Sequence, residues 1–215
     1  MSVFSEKSLV LLFLLSFCQV NAVWAWDDPQ LIVKATADQL MHEVQLNKAE
    51  LEADPQKVYL LADKYASPYF DYLAMTQSAV GSFWRQASDK QKKALTSQFK
   101  QLLVKTYGTA LLGMSSDLSI EYPPYRFEEG QTSVIVPTRM QLQGAPAVPV
   151  NYRAVFRDGL WKVIDITIDG ISLVTNFRSS FKREIQIGAS KVKGSGRIEV
   201  GIDRLIRSLA AKNAS

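Results

Sequence analysis

The spacing of apolar residues changes twice along the chain, and these changes constrain the fold more than any other feature. Between residues 28 and 114 apolar residues recur at steps of three and four, the period of an α-helix. They then alternate, as in strands with one buried face, in the segments LSIEY, TSVIVPTRMQL, VPVNYRAVF and WKVIDITI. Beyond Gly170 the helical period returns. The pattern predicts an α+β fold, with helices covering one face of four antiparallel strands.

Helix start signals divide the first half. Asp28-Pro29, Asp54-Pro55 and Ser67-Pro68 each place a capping side chain directly before a proline, which is favoured in the first helical turn. Ser88 and Gln91 form a capping-box pattern ahead of a long helix. Its apolar residues form one stripe: Leu95, Phe99, Leu102, Leu103, Tyr107, Ala110, Leu111 and Met114. We therefore expect one face of this helix to be buried along its whole length.

The N-terminus has the layout of a secretory signal. Lys7 precedes an apolar run over residues 9–17, and small residues follow. The run is shorter than the roughly 20 residues of a spanning helix. Cleavage after Ala22 or Ala25 fits the pattern, and we favour Ala25. Residues 1–25 are thus predicted to be a signal peptide and 26–215 a single domain.

Cysteine content limits the chemistry of the mature chain. Its only cysteine, Cys18, lies within the predicted signal peptide. We therefore expect neither a disulfide nor a thiol nucleophile nor a cysteine metal site.

Positive charge is concentrated at the C-terminal end. Residues 176–215 hold nine Lys/Arg and three Asp/Glu, a net charge of +6, against −2 for the rest of the predicted mature chain. A basic tail can bind nucleic acid, an anionic membrane or an acidic partner, or can be a solvated helix face. Because export argues against nucleic acid, we expect no nucleic-acid partner.

Two carboxylates lie where the last alternating segment ends. Asp165 and Asp169 are four residues apart, a spacing that puts both on one face of a strand. They are candidates for an acid–base pair in a small enzyme. The other interpretation is architectural, since aspartate before Gly170 suits a turn or a helix cap. No histidine is nearby, which favours the architectural role.

Other signs of catalysis are few. His42 is the only histidine, and it lies in the polar helical segment MHEVQ. Dinucleotide-binding, Walker, CxxC, HExxH and EF-hand motifs do not occur in the sequence. We expect no metal, no cofactor and no enzymatic activity. The abundant aromatic residues fit either a filled core or an apolar cavity, and periodicity does not distinguish the two.

Two long segments resemble one known family. They are SAVGSFWRQASDKQKKALTSQFKQLLVKTYGTAL and GLWKVIDITIDGISLVTNFRSSF. Their glycine, aromatic-arginine and AS..Q pattern, followed by WKV.D..I.G.S...N.R..F, is similar to the MlaC family, also called the toluene-tolerance auxiliary family. The resemblance spans roughly residues 27–210. It implies an NTF2-like fold: a curved, mostly antiparallel sheet covered by N-terminal helices and enclosing an apolar lipid pocket.

The resemblance also implies a function. Members of the family are periplasmic phospholipid carriers that maintain outer-membrane lipid asymmetry. Partners would be phospholipid as cargo, an outer-membrane lipoprotein–porin complex and an inner-membrane ABC transporter complex. The remaining alternatives are a small NTF2-like enzyme using Asp165 and Asp169, and an adaptor protein with a filled core.

The expected binding residues follow from the apolar stripe, the strands and the last motif. Asn176 and Arg178 are candidates for a head-group or partner contact, although a surface or capping role for Arg178 is equally compatible with its position. The candidate acyl-chain contacts are Phe70, Trp84, Phe99, Leu103, Tyr107, Leu111, Val136, Val150, Tyr152, Val163, Val174 and Phe177.

Overall fold

The computed structural model describes residues 28–54, 56–114, 118–128 and 130–214. The predicted signal peptide lies outside these residues. The helices are α1 Pro29–Leu46, α2 Lys48–Ala53, α3 Gln56–Tyr65, α4 Tyr72–Val80, α5 Asp89–Met114, α6 Leu173–Ala189 and α7 Arg197–Ala214, with 3-10 turns at Ser67–Tyr69 and Gly81–Gln86. The strands are β1 Leu118–Glu121, β2 Ser133–Leu142, β3 Val148–Arg157, β4 Leu160–Ile168 and β5 Ile171–Ser172.

Two of the predicted helix starts are confirmed in detail. Asp28 caps α1 by accepting a hydrogen bond from the Gln30 amide at 2.8 Å, and Pro29 occupies the first turn. The capping box of α5 is formed in both directions. The Gln91 amide donates to Ser88 Oγ at 3.3 Å, and the Ser88 amide donates to Gln91 Oε1 at 3.0 Å.

The helix predicted to start at Ser67 begins later. A short 3-10 turn is followed by Phe70 in extended conformation, which forms a parallel bridge to Val163 of β4. The Asp71 amide donates to the Val163 carbonyl at 2.9 Å, and the Asp71 side chain caps α4 by accepting from the Ala74 amide. The edge of β4 therefore competes with the helix for these backbone groups, and this contact joins the helices to the sheet.

The sheet is an antiparallel meander in the order β1-β2-β3-β4-β5. Asp158 and Gly159, with φ of 52° and 78°, form the two-residue turn between β3 and β4, as predicted. Asp169 and Gly170, with φ of 48° and 78°, form a second such turn. That turn creates a fifth strand of two residues, which the alternation did not predict because it is too short to show a period.

The fold class is α+β, with the helix-covered sheet expected of an NTF2-like protein. A buried cluster centred on Phe99 joins α4, α5, α6 and α7, and a second cluster around Val136 and Trp161 covers one face of the sheet. Among the described residues, none of the helices is both long enough and apolar enough to cross a bilayer.

Candidate ligand cavity

A cavity of about 480 Å³ lies between the helices and the sheet. This volume falls within the roughly 300–1,000 Å³ typical of sites for small organic ligands. Helix α1 and the C-terminal half of α5 form one side, strands β1 to β4 form the other, and residues of α3, α4 and the 3-10 turn at Ser67–Tyr69 contribute between them. None of the described residues that line the cavity carries a charge.

Helix α1 forms a large part of the wall, although none of its residues was among the predicted contacts. Its lining residues recur at steps of three and four, so they share one face of the helix. They are Pro29, Ile32, Val33, Thr36, Ala37, Leu40 and Met41. The same spacing was visible in the sequence, but a stripe facing a cavity looks the same as one facing another helix.

A β-bulge shapes the sheet side of the cavity. Arg153 of β3 pairs with Asp165 of β4, whereas the next residue, Ala154, pairs with Val163, so Ile164 is left without a partner. The extra residue allows both Val163 and Ile166 to line the cavity, although they are three positions apart. In a regular strand, side chains three apart point to opposite faces.

Helix α5 is divided between two environments. In its N-terminal half, Leu95 and Phe99 are fully buried, and the Phe99 ring packs edge-on against Phe177 and Phe181 with centroids 5.0 and 5.1 Å apart. In its C-terminal half, Leu103 and Tyr107 line the cavity. The single predicted stripe thus packs against the helical core first and borders the cavity afterwards.

Polar groups on the wall are few and neutral. Burial raises the pKa of Tyr72 and Tyr107, and it raises the pKa of Tyr152 to about 12. Trp161 Nε1 is buried and lacks a hydrogen-bond partner among the described residues. Such a wall suits a hydrocarbon ligand.

The structure separates eleven of the twelve candidate contacts into two groups. Six lie on the cavity wall: Phe70, Leu103, Tyr107, Val150, Tyr152 and Val163. Five others do not line it. Phe99, Val174 and Phe177 belong to the helical core, Trp84 packs at the edge of that core with Lys92 Nζ 5.9 Å from its ring centre, and Val136 is enclosed within the sheet cluster. The side chain of Leu111 lies outside the described residues.

The two candidate head-group residues are exposed and lie away from the wall. Asn176 and Arg178 are on the outer side of α6. Arg178 Nε donates to the Ser78 carbonyl at 2.9 Å, close to the C-terminus of α4. That bond satisfies one of the carbonyls that a helix end leaves free. The contact is therefore one between helices, as the capping alternative for Arg178 anticipated.

Asp165 and Asp169 do not meet in the cavity. Asp165 Oδ2 accepts from the Ser172 hydroxyl at 2.6 Å, and Oδ1 accepts from the Val174 amide at 3.2 Å. Asp169 is exposed in the turn between β4 and β5. Neither lines the cavity. Of the two architectural roles considered for Asp169, a turn or a helix cap, it has the first, while Ser172 and Asp165 cap α6 because β5 intervenes.

Comparison with known proteins extends this picture. The chain is 25% identical over 159 residues to "Toluene tolerance protein ttg2D" of Pseudomonas putida, covering 74% of this chain and 73% of the relative. It is 23% identical over 171 residues to "Intermembrane phospholipid transport system binding protein MlaC" of Haemophilus influenzae, covering 77% of this chain and 78% of the relative.

A solved structure is also similar along most of the chain. The phospholipid-binding protein from Ralstonia solanacearum, determined in complex with a phospholipid, matches with a TM-score of 0.76 and 29% identity. The match covers 87% of this chain and 97% of that protein. The model of the family described as MlaC protein matches residues 34–211. The chain therefore belongs to the MlaC protein family.

Proposed function

We propose that this protein is a periplasmic phospholipid carrier that moves lipid between an outer-membrane lipoprotein–porin complex and an inner-membrane ABC transporter complex. In this role it helps to maintain outer-membrane lipid asymmetry. The observation that carries the proposal is the uncharged 480 Å³ cavity between α1, α5 and the sheet. The phospholipid held by the Ralstonia solanacearum protein supports it, because that protein has the same fold at 29% identity.

The energetics of lipid transfer explain why such a carrier is needed. Exposing one methylene to water costs about 0.8 kcal/mol, so a lipid with roughly thirty methylenes faces a barrier on the order of 20 kcal/mol. An apolar cavity replaces the bilayer interior and removes most of that cost. The acyl chains occupy the cavity and contact Leu103, Tyr107, Val150, Tyr152 and Val163. The phosphate stays at the opening, since a charge buried without a partner is strongly unfavourable.

The carrier function requires no reaction chemistry. The carboxylate of Asp165 is occupied by two hydrogen bonds that cap α6, and Asp169 shapes a turn. The Haemophilus influenzae relative is named as a binding protein of a phospholipid transport system, and the Ralstonia solanacearum protein as a phospholipid-binding protein. We propose that the protein is not an enzyme.

The test is to fill the cavity without unfolding the protein. Ala37 of α1 lines the cavity, whereas Ala35 of the same helix is exposed. Ala37→Trp places an indole where the acyl chains would lie, and Ala35→Trp is the matched control. We expect native mass spectrometry to show co-purified phospholipid in the wild type and in Ala35→Trp, and little or none in Ala37→Trp.

The control outcomes decide between the alternatives. A wild-type protein that neither co-purifies with phospholipid nor takes it up from vesicles would overturn the carrier function. Equal lipid content in the two tryptophan variants would place the lipid outside this cavity. Transfer between the two membrane complexes is tested separately, by following labelled lipid from one purified complex to the other with and without the carrier.

A further inference from the structure

The outer face of the α6–α7 hairpin combines unpaired cations with exposed aliphatic side chains. We call this surface the hairpin face. Its cations are Arg183, Lys191, Lys193, Arg197 and Arg207, which are all exposed and form no ion pair with a described residue. Its aliphatic residues are Ile187, Val192 and Val200, with exposed fractions of 38%, 37% and 37%.

These residues share one surface because the two helices pack very closely. A Cβ on Gly188 would lie 2.7 Å from the Gly201 Cα, so the helices cross at these two glycines. Near the crossing, Arg204 Nε donates to Glu184 Oε2 at 3.0 Å. Ile187 follows Arg183 by one helical turn on α6. On α7, Arg204 lies four residues after Val200, and Arg207 lies three residues after Arg204. The residues named on α6 therefore share one side of that helix, and those named on α7 share one side of theirs.

Nearby carboxylates neutralise the hairpin face only in part. Glu184 is paired with Arg204, and Asp203 accepts a hydrogen bond from Gln91 Nε2 at 2.8 Å. Glu199 is the remaining exposed carboxylate of this region. The Gln91 amide is neutral, so Asp203 keeps its charge. Among the described residues, five cations therefore face two carboxylates without a cationic partner, Glu199 and Asp203, and the surface has a net positive charge.

The hairpin face is also distant from the cavity. Of α6, only Leu173 at the N-terminus lines the described cavity, and no residue of α7 does. Ile187 follows Leu173 by fourteen residues, about 21 Å along the helix at 1.5 Å per residue. What binds this face is therefore something other than the cavity's ligand.

We propose that the hairpin face docks the protein on an anionic lipid surface. Cations spread over two helices and a turn attract a negatively charged membrane without needing a shaped partner. The aliphatic side chains among them can enter the headgroup region, the arrangement found in interfacial anchors. The proposal stands whether or not the cavity holds phospholipid.

The test is flotation with vesicles of phosphatidylcholine alone or mixed with phosphatidylglycerol. We expect binding to the mixed vesicles only, and its loss in high salt, where the Debye length falls to about 3 Å at 1 M. The variant Arg183→Glu/Arg207→Glu should bind at least about 30-fold more weakly, since each basic residue near an anionic surface contributes roughly fivefold. Arg204 is not altered, because its reversal would leave Glu184 unpaired.

The matched control is Arg126→Glu/Arg139→Glu. Both arginines are exposed and lie outside the hairpin face, and the change in net charge is the same. It should retain most vesicle binding, and both variants should keep any bound phospholipid. Lys191→Glu/Lys193→Glu, in the turn between the helices, provides a second test that spares the helices. The proposal would be overturned if the wild type did not bind the mixed vesicles, or if the control variant lost as much vesicle binding as Arg183→Glu/Arg207→Glu. It would also be overturned if the hairpin-face variants bound vesicles normally and lost binding only to an acidic protein.

Discussion

The Ser172 hydroxyl lies 2.6 Å from Asp165 Oδ2, and this hydrogen bond joins the last long strand to the start of α6. Ser172 Oγ also accepts from the Thr175 amide at 3.1 Å, while Asp165 Oδ1 accepts from the Val174 amide. Two amides of the first helical turn are thereby satisfied by a serine and by a carboxylate from the sheet. Asp165, one of the two carboxylates considered as an acid–base pair, thus forms hydrogen bonds that hold the start of α6.

We predict that Asp165→Asn destabilises the protein by about 1–2 kcal/mol, because the amide replaces one acceptor of a charge-assisted bond with a donor. Asp169→Asn should change the stability by less than about 0.5 kcal/mol, since asparagine also tolerates a positive φ. Urea unfolding of delipidated protein measures both. Phospholipid content should be the same in both variants. An activity that either variant abolishes would favour the enzyme hypothesis instead.

Arg178 provides a second test of an architectural role. Arg178→Ala removes the bond to the Ser78 carbonyl, and we expect a loss of about 1 kcal/mol, or roughly 2–4 °C in Tm for a chain of this size. Lys182→Ala, which removes an exposed cation one turn later on α6, is the control and should leave the Tm unchanged. Loss of bound phospholipid in Arg178→Ala alone would restore the head-group hypothesis.

The sequence predicted the fold well because its signals are local. Capping side chains at Asp28 and Ser88 and the Asp158-Gly159 turn need only their neighbours to form. Phe70 was predicted incorrectly because its conformation depends on Val163, ninety-three positions away, which pairs with it at the sheet edge. Long-range competition of this kind leaves no mark in a local pattern.

The candidate site was less predictable for two physical reasons. Burial in a core and burial against a ligand demand the same apolar side chains, so Phe99 and Leu103 could not be distinguished on one stripe. The bulge at Ile164 was also missed. The alternation of WKVIDITI breaks there, because Val163 and Ile164 are adjacent apolar residues, but one extra apolar residue does not by itself reveal a change of register. Only the tertiary packing determines which of them line the cavity.

Alkaline titration should reveal the enclosed tyrosine hydroxyl of Tyr152. Burial raises its pKa to about 12 in the folded protein, against about 10 in an unfolded chain. A group whose folded-state pKa is raised contributes stability that is fully present below pH 10 and is lost between pH 10 and 12. The free energy of unfolding should therefore fall there by up to about 1.4 kcal/mol per pH unit for this residue. In Tyr152→Phe, the free energy of unfolding should fall less steeply between pH 10 and 12, because the residue no longer has a hydroxyl that titrates. An unchanged slope would mean that the hydroxyl is not enclosed.

The division of α5 between core and cavity leads to a labelling prediction. The only cysteine of the sequence is Cys18, in the predicted signal peptide, so a single introduced cysteine reports its own surroundings. Leu95 is fully buried in the helical core, whereas Leu103, two turns later, lines the cavity. In delipidated protein, Leu103→Cys should react with a small apolar thiol reagent that can enter the cavity, and added phospholipid should suppress the reaction. Leu95→Cys should resist the reagent with or without lipid, because close-packed cores admit no such molecule. Equal reactivity at the two positions, or a reaction at Leu103→Cys that lipid does not slow, would contradict the placement of the acyl chains beside the C-terminal half of α5.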